Sequence, residues 1–144
     1  KDSLDQLLER FDVIHGTGKG KELGIQPVGY HGIPFLENLP LALAAADIVV
    51  CRSGATSVYE VLASKTPHIF IPLSKRASRG DQIENAAYFE KKGVSHVLVE
   101  SELGVETFCE RVFGILDGIE GERERINSFE VIDGCFQVSS LLLK

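Results

Sequence analysis

Residue types able to do chemistry concentrate in two stretches. The first is Ala46–Glu60, ADIVVCRSGATSVYE. Asp47 to Cys51 is an apolar, β-branched run, long enough for a strand and too short for a helix. Arg52, Ser53 and Gly54 break it, and a helical pattern opens at Ala55 with Val58, Val61 and Leu62 on one face. A strand feeding a helix through Ser-Gly leaves free backbone N–H groups and the positive helix end at the carboxyl edge of a sheet. That is an anion site. Arg52 either adds positive charge there or forms an ion pair. Glu60 follows about a turn and a half later. The second stretch is Ser78–Gly93, SRGDQIENAAYFEKKG. It reads as a helix from Asp81 to Lys92, acidic at its start and basic at its end as the macrodipole favours, and closed by Gly93. Gln82 and Asn85 stand at i and i+3, on one face near its start.

Other chemistries are excluded by what is missing. Gly16–Gly24, GTGKGKELG, looks like a phosphate loop, but no Ser or Thr follows Lys19 as a Walker A loop requires, and no GxGxxG is present. It is either a mobile connection or a loop touching ligand within a larger site. No G-x-S-x-G elbow supports a serine hydrolase. His15, His31, His68 and His96 offer no metal-binding spacing; His68 and His96 read as core or strand-end histidines, and His15 ends a strand near the edge that would hold ligand. Cys51, Cys109 and Cys135 are an odd, widely spaced set, read as reduced core thiols of a cytosolic protein.

The elements that position these groups follow from the hydrophobic pattern. The chain of 144 residues, 44% hydrophobic and 25% charged, is one globular domain. Its net charge of −6 argues against nucleic-acid binding. No apolar run approaches the ~20 residues of a membrane span, and no signal-peptide pattern is present. The absence of Met suggests that the natural start is missing. Ser3–Arg10 is read as an amphipathic helix with Leu4, Leu7 and Leu8 inward. Strands are expected at 11–15, 27–32, 47–51, 68–72 and 95–100. Helices are expected at 39–46, from Ala55 to the Thr66-Pro67 stop, at 81–92 and at 105–116. The last of these turns Val105, Phe108, Cys109, Val112 and Leu116 inward. Gly118–Asn127 is read as charged and exposed, and Phe136–Leu143 as a short closing helix. Apolar strands alternating with helices imply an α/β, Rossmann-like, doubly wound parallel sheet. Ligands of such sheets lie beyond the carboxyl ends of the strands, where Gly16–Gly20, Arg52–Ala55 and Leu73–Gln82 fall.

The segments ADIVVCRSGATSVYE, PHIFIPL and SRGDQIENAAYFEKKG, with HGTGKG and FLENLP, resemble the C-terminal half of the MurG family of N-acetylglucosaminyltransferases. The specific signal is S-G-A-x-x-x-x-E followed by D-Q-x-x-N. The resemblance implies the donor-binding half of a two-domain, GT-B type, inverting enzyme. That enzyme moves N-acetylglucosamine from UDP-N-acetylglucosamine to lipid I, forming lipid II in peptidoglycan synthesis, without a metal or other cofactor. It implies that Glu60 holds the ribose hydroxyls and that Arg52, Ser53, Gly54 and Ala55 face the diphosphate. Gln82, with Asn85 and Asp81, would take the sugar, while the backbone at Phe35 and Leu36 reads uracil. For Asp81 a plain helix-start carboxylate is the competing reading, and for Phe35 and Leu36 an apolar turn packed on the core. No catalytic group is expected in this chain. The resemblance further implies that residues 1–144 are a partial domain. The acceptor half, the opening strand and the Gly-Gly-Ser loop would be absent, so that the chain alone is soluble and inactive. The full protein would sit on the cytoplasmic face of the membrane. The rival readings are a related UDP-sugar transferase (a glycolipid synthase or a two-subunit enzyme) and a non-catalytic nucleotide-sugar-binding module.

Overall fold

The computed structural model describes residues 2–130. Cys135 and the expected closing helix at Phe136–Leu143 lie outside the described residues. In chain order the elements are α1 (Leu4–Leu8), β1 (Val13–Gly16), β2 (Tyr30–Ile33), α2 (Leu39–Ala45), β3 (Val49–Cys51) and α3 (Ala55–Ser64). They continue with β4 (His68–Phe70), α4 (Asp81–Lys91), β5 (His96–Val97), α5 (Val105–Asp117) and α6 (Ile119–Ser128). All strand pairs are parallel, as the alternating pattern implies. They form two sheets, β1–β2 and β3–β4–β5, since among the described residues no strand bonds to the outer edge of β1 or β3.

Strand β4 is the centre of the larger sheet, and its three residues are buried. Alternation sends Phe70 to one face, against Val58 and Leu62 of α3 and Ala86 and Phe89 of α4. It sends Ile69 to the other, against Val112 and Ile115 of α5, with Leu7 of α1 packed alongside. Both faces are therefore covered, which is why the strand reads as an unbroken apolar run. Each fully buried large side chain is worth roughly 1.5–3 kcal/mol, so this sheet dominates the stability. β1 buries far less: Ile14 is 54% exposed.

Short-range chemistry sets the element ends. Pro27 and Gly29 make a turn closed by the Tyr30 amide on the Pro27 carbonyl, with Gly29 at φ +83°, a conformation side chains disfavour. β2 accordingly starts at Tyr30 rather than at 27. Pro40 lies in the first turn of α2, and the Asn38 side chain caps that helix by accepting from the Leu41 amide at 3.2 Å. β5 stops at Val97 because Glu100–Glu102 turns into a single 3-10 turn. On α5 the fully buried side chains are Cys109, Val112 and Ile115, with Leu116 only half-buried.

One expectation is overturned. Gly118–Asn127 is not simply an exposed charged stretch: Ile119–Ser128 is a helix, and Ile126 is 2% exposed. Its charges fasten it to the domain. His96 Nε2 donates to Glu122 at 3.0 Å, Arg123 pairs with Asp47 at 3.0 Å, and Lys65 Nζ donates to the carbonyls of Ile126 and Phe129. Arg125 also pairs with Glu122.

His68 is buried, and its ring is fully engaged, as its reading as a core histidine requires. Nδ1 donates to the Thr66 carbonyl at 2.8 Å, and Nε2 accepts from Ser95 Oγ at 2.7 Å. Burial lowers its pKa below the 6.5 of a free imidazole, so the folded protein holds it neutral. Burial raises the Glu122 carboxyl, but the hydrogen bonds from His96 and Arg125 outweigh it, and its pKa lies below 4.5. Both groups bind protons more weakly folded than unfolded, so both contribute stability that is present at high pH and lost as pH falls. The melting temperature should hold above pH 7, decline as pH drops through about 6.5 from the His68 contribution and decline again below about 4.5 from Glu122. Thermal melts across this range check it, and the upper decline should shrink in His68→Asn.

Candidate functional site

The turn after β3 and the start of α4 form one hydrogen-bonded corner. Ser53 is fully buried, and its Oγ donates to the Gln82 carbonyl at 2.8 Å. Asn85 Nδ2 donates to the Ser53 carbonyl at 3.0 Å. Gln82 Oε1 accepts from the Leu73 amide at 3.0 Å, tying in the loop after β4. Three residues singled out by type and spacing, Ser53, Gln82 and Asn85, thus meet as one knot. The Ser53 hydroxyl is spent inside the protein, whereas Asn85 Oδ1 and the Gln82 NH2 group have no partner among the described residues.

This knot sets two helix starts side by side. α3 begins after Gly54 and α4 after Gly80, and no side chain caps either. The Ile83 amide reaches back to the Gly80 carbonyl; the other first-turn amides and the positive ends of the two dipoles are available to an anion at this edge. Gly80 has φ +94°, which favours glycine. At Gly54, with φ −63°, an added Cβ would meet nothing within 4 Å, so its glycine leaves space rather than relieving strain.

Arg52 is committed to a brace. Its Nη1 donates to the Ile71 carbonyl at 3.0 Å and to Glu100 Oε1 at 2.9 Å, and Glu100 Oε2 accepts from the Ser74 amide at 3.2 Å. Glu100 joins the ends of β3, β4 and β5 and balances the guanidinium charge. Sequence reasoning passed over it. The available signal was an acid at the end of the expected 95–100 strand, on the same edge as Arg52.

The remaining expected residues stand apart from these bonds. Glu60 is exposed on α3 and Asp81 exposed at the start of α4, each without a hydrogen-bond partner among the described residues. Burial, with the Glu60 charge second, pushes the Cys51 thiol up to about 11, so it stays protonated behind the turn. Cys51 and Cys109 are both free thiols. Phe35 is exposed and Leu36 half-buried in the turn after β2, and Leu36 Cδ1 would lie 3.5 Å from a Cβ on Gly16, so this turn meets the glycine-rich loop after β1. His15 Nδ1 is 2.9 Å from the Tyr30 hydroxyl.

The chain is 36% identical over its whole length to UDP-N-acetylglucosamine--N-acetylmuramyl-(pentapeptide) pyrophosphoryl-undecaprenol N-acetylglucosamine transferase of Clostridium tetani, covering 41% of that protein. It is 48% identical over 73% of its length to the protein of the same name from Geobacillus kaustophilus, covering 30% of it. The chain thus spans about two fifths or less of these curated relatives. The crystal structure of Acinetobacter baumannii MurG superposes with a TM-score of 0.79 at 21% identity, over 98% of this chain and 43% of that one. The glycotransferase of kitacinnamycin gives 0.72 at 19% identity, over 88% and 32%. These likenesses establish the Rossmann-like fold of a GT-B C-terminal domain. Residues 1–129 match the family described as glycosyltransferase family 28 C-terminal domain, and the chain belongs to that family.

Proposed function

We propose that this chain is the donor-binding half of an inverting transferase that moves N-acetylglucosamine from UDP-N-acetylglucosamine to lipid I, forming lipid II for peptidoglycan. The observation that carries the reading is the corner where two uncapped helix starts are locked together by Ser53, Gln82 and Asn85. Departure of UDP builds negative charge on a diphosphate. Fixed amide dipoles aimed at that charge lower the barrier without reorganising. Gly54 and Ala55 supply close backbone approach. Glu60, exposed and unpaired among the described residues, offers two acceptor oxygens to the two ribose hydroxyls. The free NH2 of Gln82, with Asn85 and Asp81 beside it, faces the sugar, and the backbone at Phe35 and Leu36 takes the uracil edge. Arg52 acts chiefly as a brace, since meeting phosphate would require it to leave Glu100. The names of the curated relatives support this donor and this acceptor. The acceptor, the base and a peripheral seat on the inner membrane face belong in this reading to the rest of the protein.

We also propose that a strand preceding residue 1 completes the sheet. Val13 and Thr17 donate to the β2 side, and Val49 and the Cys51 carbonyl bond to the β4 side. By alternation, the amides of Ile14 and Val50 point to the free edges, and these two side chains are 54% and 38% exposed. Leu7 of α1 packs under the three-stranded sheet while α1 leads into β1, so α1 bridges the two sheets. A right-handed crossover places the strand that enters α1 beside β1, on the edge that β2 leaves open. Hydrogen exchange at Ile14 and Val50 should slow roughly tenfold or more in a longer polypeptide carrying this chain. Equally fast exchange in both would remove the strand.

Two substitutions test the donor site in NMR titrations with UDP-N-acetylglucosamine. Glu60→Ala should weaken binding about 10- to 100-fold, the scale of lost charge-assisted hydrogen bonds, while Glu84→Ala, on an exposed face of α4, should stay within about twofold. Equal effects would end the ribose assignment. Gly54→Ala should leave the melting temperature unchanged or raise it by up to about 2–4 °C, because its backbone suits alanine, yet weaken nucleotide binding by filling the space a phosphate needs.

A further inference from the structure

Gln82 can present only one end of its side-chain amide to a ligand. Its Oε1 accepts from the Leu73 amide at 3.0 Å, and its NH2 group has no partner among the described residues. With the amide reversed, the NH2 would face the Leu73 N–H, donor against donor. The orientation therefore depends on where the Leu73 N–H points, and the loop Leu73–Gly80 decides that. The Ser74 amide donates to Glu100 Oε2 at 3.2 Å. The Ser74 carbonyl accepts from the amides of Ala77 and Ser78 at 2.9 and 3.0 Å, and the Ser78 hydroxyl donates to the Leu73 carbonyl at 3.5 Å. These last bonds lie within the loop, so Glu100 is what ties its root to the sheet. Glu100 is itself held at the edge of the sheet. Its Oε1 accepts from Arg52 at 2.9 Å, and the same Arg52 nitrogen donates to the Ile71 carbonyl at 3.0 Å.

We propose that Glu100 is a positioning residue for the sugar end of the donor site. Through the Leu73–Ser74 peptide it fixes the Gln82 amide with its oxygen inward, so that the contact takes only a hydrogen-bond acceptor of the sugar. The proposal rests on the donor-half reading, which supplies the sugar. The polarity matters because the groups of an N-acetylated sugar are not equivalent to an N–H donor. A hydroxyl oxygen or the acetamido carbonyl satisfies it, whereas the acetamido N–H does not. Glu100 acts without touching the ligand, since both its oxygens already accept bonds from the protein. A carboxylate suits this task, having one oxygen for the guanidinium and a second for the Ser74 amide. The two consecutive amides of the loop root are thereby held from two sides, Leu73 by α4 and Ser74 by the residue that opens the 3-10 turn after β5.

The test compares NMR titrations with UDP-N-acetylglucosamine and with UDP. The ratio of the two affinities isolates the sugar contact and cancels whatever a freed Arg52 does at the diphosphate. Glu100→Ala should lower the ratio about 3- to 10-fold, the scale of one misplaced hydrogen bond. Glu100→Gln keeps an acceptor for Ser74 and should restore it to within about twofold. Glu102→Ala, which removes the same charge from the exposed side of the 3-10 turn, should leave it unchanged. Gln82→Ala should lower the ratio as well, and adding Glu100→Ala to it should cost nothing more, because the two residues act as one unit. Gln82→Glu keeps an oxygen for Leu73 but replaces the NH2 with a second acceptor, so it too should lower the ratio. Equal losses for the two nucleotides in Glu100→Ala, or additive losses in the double variant, overturn the positioning role. An unchanged ratio in Gln82→Glu overturns the polarity. A measurement without ligand separates this proposal from the reading beneath it. In Glu100→Ala, but not in Glu102→Ala, the Leu73 amide should exchange about tenfold faster and the Gln82 side-chain NH2 signals should move. Signals and exchange that ignore Glu100→Ala overturn the proposal whatever binds. If they respond while neither nucleotide binds the unsubstituted chain, the donor reading fails and the hold of Glu100 on Gln82 stands.

Discussion

A hydroxyl cut off from water holds this edge of the molecule together. Ser53 is buried in the turn after β3, where an unpaired hydroxyl would cost on the order of 1–3 kcal/mol. It avoids that cost only by reaching the Gln82 carbonyl in α4, while Asn85 returns a bond to the Ser53 carbonyl. The turn and the helix are far apart in sequence, so neither could hold the geometry alone. Because the bonds cross from one βα connection to the next, the open starts of α3 and α4 keep a fixed separation. An anion site made of backbone amides needs that constancy, since its donors have no side-chain freedom with which to adjust.

A second constraint is charge balance at the same edge. Arg52 and Glu100 neutralise one another across the ends of β3 and β5, and Glu100 also pins Ser74. The pair is partly exposed, with side-chain exposures of 47% and 35%, so its direct contribution to stability is small. Its importance is positional: it fixes the root of the loop that carries Lys75, Arg76 and Arg79. The positive field of that loop therefore comes from residues other than the arginine that looks most suggestive in the sequence.

Much of the fold was legible because strong local signals agreed with the tertiary outcome. The helix beginning at Ala55, with Val58, Val61 and Leu62 buried, follows directly from apolar spacing. So do α4, stopped by Gly93 at φ +74°, and the wholly buried strand at His68–Phe70. What escaped depended on distant partners. α6 has a mean composition that suits solvent, and only Ile126 in the core and the ties of Glu122, Arg123 and the backbone to other elements hold it. The late start of β2 came from a Pro27–Tyr30 turn that outranked the extended pattern. The split into two sheets concerns edges, and edge pairing leaves no trace in periodicity. At the candidate site, residue types and spacing marked Ser53, Gln82 and Asn85, which the fold does bring together. The bracing acid Glu100 was missed because its importance lies in three contacts made across strands.

The site also shows why side-chain chemistry alone misjudges such an edge. Serine, asparagine and arginine at a phosphate-like turn invite assignment as ligands, yet the Ser53 hydroxyl, Asn85 Nδ2 and Arg52 Nη1 are all hydrogen-bonded within the protein. The groups left without partners among the described residues are backbone amides at two helix starts, the NH2 group of Gln82, Asn85 Oδ1 and the carboxylates of Glu60 and Asp81. In the donor reading this division follows from physics. A diphosphate is met by many weak, fixed dipoles, which any residue supplies if its backbone is held. A diol and a sugar hydroxyl need directed acceptors and donors, which only particular side chains supply. Substitutions at Ser53 or Asn85 would then act through the position of the amides, and those at Glu60 or Gln82 through a lost contact. Loss of Ser53 should accordingly loosen α3 and α4 together, with effects on stability that loss of Glu60 does not share.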